Sequence, residues 1–227
     1  MAQAQYLQMI CIGAAISIHW TFILKFSALK GLLSDKPNIR SSHTKVTIRG
    51  GGFAFSLSVF TAALLLGSYQ EIYLASLGVA LSVLGIIDDA CNLRAKTRIT
   101  FQSLICLLAV GMILQVETNT LSIATGVVFL IMFLQALSYI NFYNFADGIN
   151  GHAALQSVST ILSWLIFMSI SREQYNRDAF QMFAALVGSL LIFIIANVML
   201  KWVFMGDTGS TFLGFFIAII PFSQLLY

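Results

Sequence analysis

Leu121-Ser-Ile-Ala-Thr-Gly-Val-Val-Phe-Leu-Ile-Met-Phe-Leu-Gln-Ala-Leu-Ser-Tyr-Ile140 runs without a charge straight into Asn141-Phe-Tyr-Asn-Phe-Ala-Asp-Gly-Ile-Asn-Gly151. A helix needs about 20 mostly apolar residues to cross the hydrocarbon of a bilayer. The first segment has that length, and the sudden change to amides, an acid and glycines marks where the chain leaves the membrane. The apolar run is continuous rather than alternating, which excludes a barrel strand.

The pattern recurs along the whole chain. Apolar segments at about 6–26, 52–66, 72–87, 101–116, 121–140, 153–170, 180–200 and 211–227 predict an all-α, polytopic membrane protein of about eight transmembrane helices, forming a single membrane domain over 1–227. Composition agrees. The chain is 59% hydrophobic and 9% charged, with a mean hydropathy of +0.89, against about 25% charge in soluble domains. A net charge of +3 is too small to argue for nucleic acid as a partner. Cys11, Cys91 and Cys106 show no paired spacing, and Cys11 and Cys106, within predicted spans, read as packing residues. The first segment lacks a basic leader and a small-residue cleavage site, so it is expected to be a retained helix.

Basic residues set the expected orientation. Lys30, Lys36, Arg40, Lys45 and Arg49 follow the first segment, Arg94, Lys96 and Arg98 follow the third, and Lys201 precedes the eighth. The alternate loops hold only Arg172 and Arg177, each beside an acid. The positive-inside rule then puts the N-terminus outside and four polar, glycine-marked loops in the cytoplasm. Those loops hold or flank Asp35, Asp88, Asp89, Asp147 and Asp207, five of the nine acids. His19 and Lys25 in the first span read as packing or snorkelling residues.

Each loop has a bland and a chemical interpretation. Asp88 and Asp89 end the third segment, either as a charged helix stop or as carboxylates that share a cation. Asp207 lies in Gly206-Asp-Thr-Gly-Ser210, where Ser210 or Thr211 could cap the next helix and the glycines suggest close approach to a ligand. Asp207 together with Asp89 meets the usual demand of magnesium for one or two carboxylates. Asn141, Asn144, Asp147 and Asn150 recur every third residue. They share a stripe if the helix continues, although Gly148 and Gly151 suggest a break near Asp147. Amides suit recognition of a base or sugar. Arg40, His43, Lys45 and Arg49 surround a loop ending in Gly50-Gly51-Gly52, whose N–H groups could approach a phosphate.

In this order the motifs resemble those of the polyprenyl-phosphate N-acetylhexosamine-1-phosphate transferases (glycosyltransferase family 4). The closest likeness is to the branch that starts O-antigen or related cell-surface glycans. Pro37-Asn-Ile-Arg40-Ser-Ser-His43 with Arg49-Gly-Gly-Gly52 is similar to the first family motif. Gly85-x-x-Asp88-Asp89-x-x-x-Leu93, then Arg98 and Gln102, is similar to the second. Asn141-x-x-Asn144-x-x-Asp147-Gly148-x-Asn150-Gly151 and Val203-Phe-Met-Gly-Asp207-x-Gly-Ser210 resemble the third and fourth.

The resemblance implies transfer of a sugar-1-phosphate from a UDP-N-acetylhexosamine to undecaprenyl phosphate, with release of UMP, in the cytoplasmic membrane. It implies Mg2+, or Mn2+ in its place, on Asp207 and Asp89, and catalytic roles for Asp88 and Asp89. Substrate binding would fall to Asn141, Asn144, Asp147, Asn150, Arg40, His43, Lys45, Arg49 and Arg98. The implied partners are the two substrates, the lipid bilayer and, at most, a second copy in a homodimer.

The chain departs from the family pattern at Val46, Ile48 and Leu200, where prolines are usual, and at Asn150, where an aspartate is common. The family also carries a histidine-bearing loop after the fourth motif, so the sequence is expected to be a C-terminally truncated form, and a non-catalytic fragment is the alternative. A membrane prenyltransferase is a rival, but it wants an acid where Asn92 stands. A transporter wants ionisable residues at mid-span, where His19 and Lys25 stand almost alone.

Overall fold

The computed structural model describes residues 2–27, 29–35, 46–117, 123–171 and 177–225. Nine α-helices occupy them: α1 (Ala2–Phe26), α2 (Leu29–Leu32), α3 (Phe53–Leu66), α4 (Tyr69–Cys91), α5 (Ala95–Glu117), α6 (Ile123–Ala146), α7 (His152–Ser171), α8 (Arg177–Ile194) and α9 (Gly206–Leu225). A π-helical turn, Ile195–Met199, extends α8. Apart from the one-turn α2, the helices follow the predicted apolar segments one for one. The protein is all-α and multi-pass.

The boundaries differ from those expected, and consistently so. Helix α4 continues through Asp88 and Asp89 to Cys91, α6 runs through Asn141 and Asn144 to Ala146, and α9 starts at Gly206 rather than at Thr211. Hydropathy marks where a helix leaves lipid, whereas its hydrogen bonds continue until a residue breaks them. At α4 that residue is Asn92, in the left-handed conformation with φ 50°, whose N–H returns to the Asp88 carbonyl at 2.8 Å.

Five helices are long and apolar enough to cross a membrane: Ala4–Phe26, Tyr69–Cys91, Ala95–Leu114, Ile123–Ala146 and Arg177–Met199. Helices Phe53–Leu66 and His152–Phe167 are apolar but shorter. At 14 residues, α3 spans only ~21 Å, and Ala54, Phe55, Ser56, Ser58, Val59, Ala62 and Ala63 on it are buried. Helix α9 differs again, because every residue from Thr208 to Ile220 is buried. It forms the axis of the bundle and touches protein rather than lipid on all sides.

Small residues make that packing possible, as in membrane bundles generally. A Cβ on Gly13 would strike the backbone of Ala185, and one on Gly188 the backbone of Ile10, so α1 and α8 lie backbone to backbone. Around α9, Gly78 faces Phe212, Gly85 faces Thr208, Gly52 faces Gly209, and Gly214 faces Tyr139 and Ile140.

Strand β1 (Ser34–Asp35) pairs antiparallel with β2 (Thr47–Ile48) in the register Ser34 to Ile48 and Asp35 to Thr47. Ile48 also bridges Val203 in parallel. The ladder continues as Phe204 N–H to Ile48 O at 2.7 Å, Gly51 N–H to Phe204 O at 2.9 Å and Gly52 N–H to Met205 O at 3.1 Å. Two of the triple-glycine N–H groups are thus spent on the fourth motif's backbone. They are not free to cradle a phosphate, which corrects the sequence expectation for this run. On the outside of the loop, Trp20 Nε1 donates to Gly50 O at 2.9 Å, and Lys25 Nζ lies 3.2 Å from the Trp202 ring centroid. Lys25 therefore makes a cation–π contact rather than simply snorkelling.

Candidate active site

The start of α9 meets the ends of α4 and α6 and the starts of α3 and α5. The described parts of all four motifs therefore gather at one end of the bundle, as the alternation of basic loops requires. Arg40, His43 and Lys45 lie outside the described residues.

Asp88 and Asp89 are consecutive on α4 and so point about 100° apart around it. Asp88 Oδ1 accepts the Leu93 N–H at 2.6 Å, and its Oδ2 accepts Arg98 Nη1 at 2.9 Å. The same Arg98 nitrogen donates to Asp207 Oδ2 at 3.0 Å. One guanidinium nitrogen from the start of α5 thus joins carboxylates from two other helices. Asp88 is 6% exposed and Asp207 29% at the side chain, so the pair opens to solvent through Asp207.

Asp89 turns toward α9 instead. Its Oδ1 accepts the Asp207 N–H at 3.2 Å, and its Oδ2 accepts both the Thr208 N–H at 3.3 Å and the Thr208 hydroxyl at 2.8 Å. Its side chain is 2% exposed, with Arg49 Nη1 at 4.0 Å. Arg49 is held in turn by Asp35 at 3.1 Å.

Ser210 and Thr211 do not cap α9, contrary to expectation. Because the helix starts at Gly206, their hydroxyls donate back to the carbonyls of Gly206 at 3.2 Å and Asp207 at 2.7 Å. Gly206 and Gly209 are explained by protein, not ligand. A Cβ on Gly206, whose φ is +72°, would collide with the Asp89 carboxylate, and one on Gly209 would meet Gly52 and Met205.

On α6 the polar residues continue the helix up to Ala146 and break at Asp147, combining both sequence alternatives. Asn144 Nδ2 donates to Ser210 Oγ at 3.4 Å. One turn earlier, Asn141 Nδ2 donates to Leu137 O at 2.8 Å and reaches Gln102 Oε1 at 3.4 Å. Burial raises the Asp147 carboxyl well above the usual carboxylate range, and the charges of Asp89 and Asp207 raise it further. Burial, the Asp88 side chain and the Asp89 charge push Asp207 up to about 7, with Asn144 opposing. Asn150 is exposed on the turn before α7 and makes no described hydrogen bond to the cluster.

Thr208 and Ser82 escaped sequence reasoning. Ser82 Oγ donates to Thr208 O at 3.1 Å. Their signal was the run Gly78, Ser82, Gly85, Asp89, spaced by four, three and four residues, which lies on one face of a helix and here faces α9.

Fold and site define a multi-pass helical membrane protein with a carboxylate- and amide-lined polar centre at one end of its bundle. Residues 71–223 match the glycosyl transferase family 4 model, and the chain belongs to that family. It is 30% identical over 209 residues to a probable undecaprenyl-phosphate N-acetylglucosaminyl 1-phosphate transferase of Bacillus subtilis, covering 88% of this chain and 58% of the relative. It is 28% identical over 213 residues to the undecaprenyl-phosphate alpha-N-acetylglucosaminyl 1-phosphate transferase of Escherichia coli O157:H7, covering 86% and 56%. A decaprenyl-phosphate N-acetylglucosaminephosphotransferase of Mycobacterium leprae is 27% identical over 224 residues, covering 85% and 56%. The chain therefore spans little more than half the length of these relatives.

Proposed function

We propose that this chain carries the site at which a sugar-1-phosphate passes from a UDP-N-acetylhexosamine to undecaprenyl phosphate, releasing UMP, on the cytoplasmic side of the inner membrane. There it would begin O-antigen or another cell-surface glycan. The observation that supports this best is the Asp88–Arg98–Asp207 bridge, which sets two carboxylates within reach of one cation at a membrane-protein surface. The names of the relatives supply the substrate class.

The donor set suits Mg2+, which favours one or two carboxylates and completes its shell with phosphate oxygens and water. Asp207 offers a hard oxygen with the Asn144 amide beside it, whereas the Asp88 oxygens are engaged by Leu93 and Arg98. Among the described residues, no three acidic, histidine or cysteine side chains close around one point, so substrate oxygens would supply the rest. Such an ion screens phosphate charge when bound. Asp89, assigned to the metal from sequence, has both oxygens engaged by α9.

A phosphomonoester has its second pKa near 6, so the acceptor is mostly dianionic at neutral pH and needs little help in losing a proton. Asp88, tied to Leu93 and Arg98, serves by holding Arg98 in place. Arg98 and Arg49 offset the repulsion between two approaching phosphates. Asn141, Asn144 and Asp147 face the nucleotide sugar with hydrogen-bonding groups.

The test supplies membranes containing the protein with undecaprenyl phosphate, Mg2+ and labelled UDP-N-acetylhexosamines. Labelled lipid and UMP that disappear in Asp207→Asn support the proposal. The absence of labelled lipid from well-folded protein refutes it for this chain.

A further inference from the structure

We infer that Asp89 is a positioning residue that caps the N-terminus of α9 from a neighbouring helix, and that through this cap it fixes the direction of Asp207. The inference rests on the proposed role of Asp207 as a metal ligand and adds a role that the sequence motif does not reveal.

The first N–H groups of a helix have no partner within it. They are usually met by a Ser, Thr, Asp or Asn immediately before the helix. Here that place is unsuited to the task, because Met205 precedes the helix and Gly206, its first residue, has no side chain and has φ +72°. Ser210 and Thr211, one turn further on, are engaged in bonding backward along the helix. The donors are met from α4. Asp89 takes the N–H groups of Asp207 and Thr208, one on each oxygen, and the Thr208 hydroxyl as well. A carboxylate at this end also suits the helix dipole.

The approach is built in over three turns. Gly78, Gly85 and Ser82 let α4 press against α9, with Phe212 against Gly78, Thr208 against Gly85, and Ser82 donating to the Thr208 carbonyl. Gly52 closes the far side against Gly209. Gly206 lacks a Cβ where one would overlap the Asp89 carboxylate. The Asp89 side chain is 2% exposed, and the cation beside it is the Arg49 guanidinium at 4.0 Å. The bond to the Asp207 N–H holds the very residue whose side chain turns outward to Arg98, so Asp89 sets the backbone from which that carboxylate projects.

The full chain in detergent, as wild type and as Asp89→Asn, Asp89→Ala and Asp207→Asn, is melted without metal, and Mn2+ binding is measured on each by electron paramagnetic resonance. Asparagine keeps one acceptor oxygen but turns an NH2 toward the remaining donors, and alanine keeps neither acceptor. The cap predicts one order in both measurements: Asp89 first, Asp89→Asn intermediate, and Asp89→Ala last, melting at least ~2 °C below wild type. A direct metal ligand predicts the opposite pattern. Asp89→Asn and Asp89→Ala would then lose Mn2+ alike, with metal-free melting unchanged, and that result overturns the inference. If Asp89→Ala does not fold, the cap is supported provided Asp89→Asn folds and binds Mn2+. Unchanged Mn2+ binding in Asp207→Asn would sink the metal assignment instead, leaving the cap to be judged on metal-free melting alone.

Discussion

Arg98 reaches Asp207 across 109 positions of sequence, its Nη1 lying 3.0 Å from the Asp207 Oδ2 while it also holds Asp88. Two carboxylates at this spacing repel one another unless a cation stands between them. Arg98→Gln removes that cation and the charge that meets phosphate. Lipid-linked sugar synthesis is expected to fall by about 10²–10³-fold, the usual loss of one electrostatic partner. Arg98→Lys keeps the charge without the planar fork and should recover only part of it. Equal activity in all three forms would show that Arg98 lies outside the reaction.

Asp207, pushed up to about 7, must lose its proton to bind a cation. Mn2+ affinity should therefore be steady above pH 7 and weaken by up to ~tenfold per unit below it, because ligands bind metal deprotonated. Titrations between pH 6 and 8 measure this, and a flat profile contradicts it.

Asp147 makes a prediction of opposite sense for stability. Its carboxyl is raised well above the ordinary 3.8 by burial and by Asp89 and Asp207, so the folded protein holds this proton more tightly than the unfolded chain. Stability then declines as pH rises from 3.8 toward the folded value, and in stronger acid both states are protonated and the difference vanishes. Asp147→Asn, neutral throughout, should melt above wild type at pH 7 and converge with it near pH 4. Its transfer activity should fall at the same time.

Glycines that look alike in sequence should behave differently. A Cβ at Gly52 would strike the Gly209 backbone, whereas one at Gly111 has nothing within 4 Å. Gly52→Ala should lose about 1–3 kcal/mol through overpacking, and Gly111→Ala on α5 should gain up to ~1 kcal/mol of helix propensity. Thermal melting of the two variants side by side decides it.

The membrane class, the order of the helices and the gathering of the motifs were legible because burial in lipid needs long uncharged runs, which composition alone displays. The helix ends were not. Asn141 and Asn144 are polar yet helical, because α6 keeps its backbone bonds until the turn at Asp147. Likewise, nothing in the apolar run after Thr211 reveals that α9 is sheathed in protein, since lipid and side chains select for the same residues. The difference between Asp88 and Asp89 was hidden for another reason. Adjacent letters separate only once a helix turns one toward Arg98 and the other toward the start of α9.

The axial helix α9 comes after the other eight helices in chain order. During synthesis, the faces of α3, α4 and α6 that will enclose it enter the bilayer before it exists. Their glycines and serines must then spend that interval against lipid or against one another. The polar centre cannot assemble gradually as the chain emerges, since Asp207, the α9 N–H groups that Asp89 receives and the backbone partners of Gly51 and Gly52 all arrive with this late segment. Its assembly therefore waits for α9, and a ribosome stalled before Gly206 would leave a membrane-inserted bundle with an open seam and no site.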